Sequence, residues 1–184
     1  MSLTKEVNIP KFLQELHGTR TSILELILTY AAGLLSAISA CLILQNLQLS
    51  LAMWKEILLI LVVADIGAGI VSNFTKGTND YYSQRPKERW KFIAMHLLHP
   101  TLFFWIFQET PLAFISIALS ILVATALVNS VHNRTQQSIA AFFIILGISL
   151  VPLLQLYNPM TTWFLSVFMI KLLLAFGIRR HGYQ

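Results

Sequence analysis

Apolar residues run through this chain in long unbroken stretches, separated by short polar ones. No charge falls between Glu25 and Lys55, or between Glu109 and Arg134. The uncharged run from Thr135 to Ile170 is long enough for two helices, with a break at Asn158-Pro159. A membrane helix needs about 20 mostly apolar residues to cross some 30 Å of hydrocarbon. The pattern therefore predicts an all-α integral membrane protein, a bundle of six transmembrane helices at about 23–45, 53–73, 91–108, 111–131, 137–157 and 160–178. The runs lack the period-two alternation of a barrel strand, which leaves helices as the way to satisfy the backbone in lipid.

Composition agrees. Of 184 residues, 56% are hydrophobic and 11% charged, whereas a soluble domain carries about a quarter charged residues. One cysteine excludes a disulfide scaffold. The net charge of +5 calls for no nucleic acid, because its distribution reads as membrane topology. Lys5, Lys11 and Arg20 precede the first span. Lys76, Arg85, Lys87, Arg89 and Lys91 join the second to the third, Arg134 the fourth to the fifth, and Arg179 and Arg180 follow the sixth. The opposite side has only Lys55, beside Glu56. The positive-inside rule then puts both termini in the cytoplasm. The expected organisation is a cytoplasmic amphipathic segment at 1–22, a transmembrane domain at 23–178 and a basic tail at 179–184. The expected location is a bacterial cell membrane, with membrane lipids as partners. All four tryptophans fall near predicted helix ends, as an aromatic belt requires.

Two local features refine this. Asn8 is placed to cap a short helix with Ile9, Phe12, Leu13 and Leu16 on one face, lying on the inner membrane surface. Ile38-Ser39-Ala40-Cys41 resembles a lipoprotein cleavage box, but the apolar stretch is long and continues past Cys41. Cys41 is read with Ala31, Ala32, Gly33, Ser36, Ala37, Ser39 and Ala40 as a small-residue face for close helix contact.

Polar residues inside the spans are few, and each is costly enough to be a functional candidate. The second span carries Asp65, Gly69, Ser72 and Asn73 on one helix face, and the third carries His96 and His99 one turn apart. Counting at about 1.5 Å per residue brings Asp65, His96 and His99 to one level. Asn73, Asn129, His132 and Glu25 lie on the cytoplasmic side of them, a polar funnel opening inward. Pro100 leaves the carbonyl of His96 without its helical partner, so a kink is expected immediately after His99. Asn79 and Arg85, in the basic connection, would grip a headgroup above the funnel.

Asp65, His96 and His99 allow three chemistries. They can hold a divalent metal, zinc or iron, with an open position. They can do acid–base or proton-relay work, with Asp65 orienting an imidazole. They can also simply tie two helices together. The expectation is a small metal-dependent or acid–base membrane enzyme acting on a lipid or other amphipathic substrate. Asp65, His96 and His99 would be catalytic or metal-binding, and Asn73, Asn79, Arg85, Asn129 and His132 would line the approach. The alternatives are a transporter, or its substrate-binding membrane subunit, using the same residues as a proton relay, and a structural membrane subunit. In size and six-helix plan the chain resembles the small membrane subunits of energy-coupling-factor vitamin importers, a resemblance that implies transport. Lys171, in the sixth span, is expected to snorkel to the cytoplasmic headgroups rather than pair with Asp65.

Overall fold

Ser22 opens the first long helix through a capping box. Its hydroxyl accepts from the Glu25 amide, and the Glu25 carboxylate accepts from the Ser22 amide at 2.8 Å. Glu25 is thus spent on the helix start and belongs to no funnel. The helix it begins is α2, Ile23–Asn46. In the computed structural model, which describes residues 2–107, 111–154 and 159–180, α2 follows a short antiparallel ribbon. That ribbon is β1, Glu6–Asn8, paired with β2, Arg20–Ser22, in the register Glu6↔Ser22 and Asn8↔Arg20. The single turn α1, Gln14–His17, lies between the strands.

Asn8 therefore sits in a strand, where a helix cap was expected. Pro10 is extended (ψ 146) and Gly18 is left-handed (φ 73), so the helical stretch between them is short, a 3-10 turn at Lys11–Leu13 leading into α1. Phe12 stays exposed. The segment folds back over the next connection, where the Leu16 carbonyl accepts from Thr78 Oγ1 at 2.8 Å and from the Ser72 hydroxyl.

The remaining elements are α3 (Met53–Phe74), α4 (Lys76–Ser83), α5 (Pro86–Met95), α6 (Leu98–Phe107), α7 (Pro111–Ser130), α8 (Asn133–Leu150) and α9 (Pro159–Met169), which continues into a π-helical segment, Ile170–Phe176. Among the described residues, four helices are long and apolar enough to cross a membrane: Ile23–Asn46, Met53–Phe74, Leu112–Ser130 and Pro159–Phe176. Two expected spans differ. The fifth is shorter, with α8 giving way to a tight turn at Val151–Leu154. The break expected at Asn158-Pro159 falls partly outside the described residues, with α9 starting on Pro159, where a missing N–H costs nothing.

The third expected span is two short helices. Pro100 has no N–H to offer the His96 carbonyl, and α5 closes one turn earlier, with the Leu97 amide bonding Ala94. The bend thus lies at His96-Leu97, before His99 rather than after it. The basic connection contains α4, capped by Thr75 and braced by Lys76 and Asp80 one turn apart.

Small residues set the main contact. α2 and α3 pack along their length, and a Cβ added to Gly67 would lie 2.9 Å from the Ala32 carbonyl. The last helix is the most buried of the long ones, with Met160, Phe164, Phe168, Leu172 and Leu173 packed inside and Trp163, Val167 and Leu174 half-buried on its outer face. Phe103, Phe164 and Phe168 stack around it at 4.3 and 5.4 Å.

The two ends of the bundle are distinct. At one, Trp54 packs on Trp105 at 4.8 Å and Lys55 donates to the Ile106 carbonyl, so α6 ends where α3 begins. At the other, the Arg180 amide bonds Asn79, and Arg179 bonds both Gln136 and the Asn129 carbonyl. The N-terminal segment packs at this second end through Gly18 and Gly77. A Cβ on Gly77 would lie 2.1 Å from the Arg20 carbonyl oxygen and 2.7 Å from that of His17. Backbone cannot yield there, so Gly77→Ala is expected to cost about 1–3 kcal/mol and to speed proteolysis of residues 2–22. Unchanged cleavage would show that the clasp is loose.

His17 adds a pH dependence to the same clasp. It is buried, with Nε2 3.0 Å from the Tyr30 hydroxyl, and burial holds its pKa below the ordinary 6.5. The neutral form is the one that folds. Stability from His17 is complete above pH 6.5 and falls as the pH drops below it. Cleavage of the clasp should accelerate from pH 7.5 to 5.5 in the wild type and much less in His17→Asn.

Candidate functional site

Asp65 is the hub of the polar centre. One carboxylate oxygen, Oδ2, accepts from His99 Nε2 and from Lys171 Nζ, each at 2.7 Å. Lys171 also donates to the Asp65 carbonyl at 3.3 Å. Lys171 is buried and does not snorkel, contrary to expectation. Its position faces α3, where the Asp65 carboxylate lies beside it. Gly69, one turn after Asp65, makes the space. A Cβ there would lie 2.7 Å from the ammonium.

The histidines come together as their spacing predicts. Their rings stack at 4.7 Å and 14°. His96 Nδ1 lies 2.7 Å from the Phe92 carbonyl, which can only accept, so this nitrogen carries the proton. His99 Nε2 carries one for the same reason, donating to the Asp65 carboxylate. That leaves His96 Nε2 and His99 Nδ1 as buried acceptors without a partner among the described residues, together with the buried amide nitrogen of Asn73.

These groups line a cavity of about 450 Å³, within the usual range for a small ligand. Gly69, Tyr82, Phe92 and Lys171 complete its inner wall, with Met95 and Leu98 at its exposed outer edge, Glu15 and Leu16 from the N-terminal segment, and Glu88 and Lys91 from α5. Burial pushes the Tyr82 phenol up from its ordinary pKa, so it stays a neutral hydroxyl.

The expected metal site does not form. Among the described residues no group of three His, Cys, Asp or Glu side chains is arranged to hold an ion. The reason is local. The Lys171 ammonium sits on the carboxylate oxygen a cation would need, and His99 already donates to that same atom. The donor set fits neither zinc nor iron, and metal chemistry is set aside.

The expected approach residues divide. Asn73 lines the cavity. Asn79 and Asn129 are buried in a different network, where Asn79 accepts from the Arg180 amide and Asn129 Oδ1 accepts from Arg89 Nε at 2.5 Å. Arg85 stacks on Tyr81 at 4.1 Å and lines a neighbouring surface hollow that shares Glu15 and Glu88 with the cavity. His132 caps α8, accepting from the Arg134 amide at 3.4 Å, away from the cavity. The inward funnel is therefore shorter than expected, and the N-terminal clasp lies across it.

Arg89 is a residue that charge counting misreads. It is 1% exposed and donates to the carbonyls of Phe176 and Gly177, with Asn129 on its Nε. The π-helical end leaves such carbonyls unmatched, the Gly177 amide reaching back to Leu172 at 2.7 Å. Arg180 takes those of Leu174 and Ala175. Burial first, then nearby Arg179 and Arg180, lower Arg89 to about 10, still charged at neutral pH.

No protein-family model, curated protein or solved structure matches the chain.

Proposed function

We propose that this chain is a six-span membrane enzyme whose Asp65–His99 pair does acid–base chemistry on a lipid or similar amphipathic substrate. The observation that carries the reading is the 2.7 Å bond from His99 Nε2 to Asp65 beside a ligand-sized cavity, with His99 Nδ1 left as a base. Asp65 fixes the tautomer and offsets the charge that forms when Nδ1 takes a proton from a substrate hydroxyl. Lys171 holds the carboxylate in place. His96, stacked alongside, offers a second acceptor.

The topology proposed with it has segment 1–22 and tail 179–184 in the cytoplasm and 23–178 as the membrane domain. Two features support six spans over four. The N-terminal segment, the α3–α4 turn, Asn129, Gln136 and Arg180 meet at one end of the bundle. The α5–α6 pair reaches the other end in two pieces. Membrane lipids are the natural partners. The basic residues of these connections, with the location in a bacterial cell membrane, belong to the same proposal.

The test is lipid analysis by mass spectrometry after incubating the protein in nanodiscs of bacterial polar lipid. Wild type should convert a lipid, and His99→Gln should slow this about 10²–10⁴-fold while remaining folded. Identical lipid profiles with and without active wild type would remove the enzyme reading.

Proton-coupled transport is the second reading. The broken helix at His96-Leu97 and the π-helical segment at Lys171 favour it, since discontinuous helices frame many transporter sites. Proton flux into dye-loaded liposomes, lost in His99→Gln, would move it to first place.

A further inference from the structure

The cavity's walls carry information about what reaches it, resting on the reading of its floor as an acid–base site. The N-terminal clasp narrows one end, where Glu15, Leu16, Glu88 and Lys91 line the space and the Leu16 carbonyl is held by Ser72 and Thr78. The floor lies deep. Asp65 precedes the end of α3 at Phe74 by about 14 Å, at 1.5 Å per residue. At that depth the lining residues Met95 and Leu98 are exposed at the side of the bundle, and the Asp65 side chain is 50% exposed beside them. The cavity is thus a slit between α3 and α5–α6, open sideways toward hydrocarbon.

The chemistry of the floor narrows the ligand. Asp65 and Lys171 neutralise one another, so no net charge is left to meet a charged headgroup, which would lose its water at this depth without compensation. Among the described residues, the buried groups left without a partner at the floor are a donor, the Asn73 amide, and two acceptors, His96 Nε2 and His99 Nδ1. A hydroxyl both donates and accepts, and is cheap to bury when it does so.

We propose that the cavity takes a neutral, hydroxyl-bearing lipid directly from the bilayer, through the slit walled by Met95 and Leu98. The hydroxyl sits at His96, His99 and Asn73, and the hydrocarbon tail stays in the membrane. The substrate hydroxyl of the acid–base reading is then supplied laterally, from the membrane side of the slit.

Dioleoylglycerol and dioleoyl phosphatidic acid test this, because they share tails and differ by a phosphate. Thermal unfolding of the detergent-purified full chain should show a saturable rise with dioleoylglycerol, roughly 5–10 °C at about a hundredfold excess over Kd. Phosphatidic acid should give none. Leu98→Trp and Met95→Trp, each filling the slit from a lipid-facing position, should fold normally and abolish the rise. A missing rise, an equal rise with phosphatidic acid, or full binding in both tryptophan variants would overturn the proposal. Saturable diacylglycerol binding without lipid conversion would remove the acid–base reading and leave this one. Conversion of a water-soluble substrate without diacylglycerol binding would do the reverse.

Discussion

Asp65→Ala is expected to destabilise the protein by about 3–5 kcal/mol, and Lys171→Met in the same chain to restore most of that loss. The Lys171 ammonium is buried, and both of its hydrogen-bond acceptors belong to Asp65. Removing the carboxylate leaves a full charge in an apolar setting with one backbone carbonyl for company. Removing both charged groups leaves an apolar core of similar volume, which buried-pair replacements tolerate well. Lys171→Met alone should cost less than Asp65→Ala, because the stranded carboxylate keeps His99 and is half exposed. Unfolding of the four variants in mixed micelles gives the coupling directly. Additive losses, with no recovery in the double variant, would mean that the pair does not form.

Arg89→Ala should be comparably damaging, about 3–5 kcal/mol, because one guanidinium serves three acceptors at once. The carbonyls of Phe176 and Gly177 and the side chain of Asn129 would all lose their donor in a buried place. The ring of Phe176 would also lose the cation 4.5 Å from its centre. Arg89→Lys should recover little, since an ammonium cannot reproduce the planar fork that reaches both the helix end and Asn129. The neighbouring Lys87→Ala, on an exposed position, should stay within about 0.5 kcal/mol. Equal stabilities for Arg89→Ala and Lys87→Ala would reduce Arg89 to a topological charge.

The contrast between Arg89 and Lys87 marks where sequence reading ends. Both sit in one basic connection and score alike under the positive-inside rule. Only the packing of the last helix end separates them. Local chemistry was legible: apolar runs mark the long helices, small residues on α2 mark the contact with α3, and the 96–99 spacing with a facing Asp65 marks the polar centre. The Ser22–Glu25 capping box went unread, and it accounts for a carboxylate that depth counting alone sends into the funnel. Lys171 could not be assigned from sequence. Snorkelling and pairing with Asp65 use the same residue types, and the choice rests on how far the last helix is enclosed. The N-terminal clasp was hidden for a similar reason. Its strand pairing joins residues on either side of α1, and it docks through a Gly18–Gly77 contact that no local pattern announces.

Nitrogen-15 spectra of histidine-labelled protein in bilayers test the central claim most directly. His96 should be protonated at Nδ1 and His99 at Nε2, each leaving one bare ring nitrogen. Asp65→Asn should shift the His99 resonances, with a much smaller change at His96. A His99 signal indifferent to that substitution would contradict the Asp65–His99 pair and, with it, the acid–base site built on it.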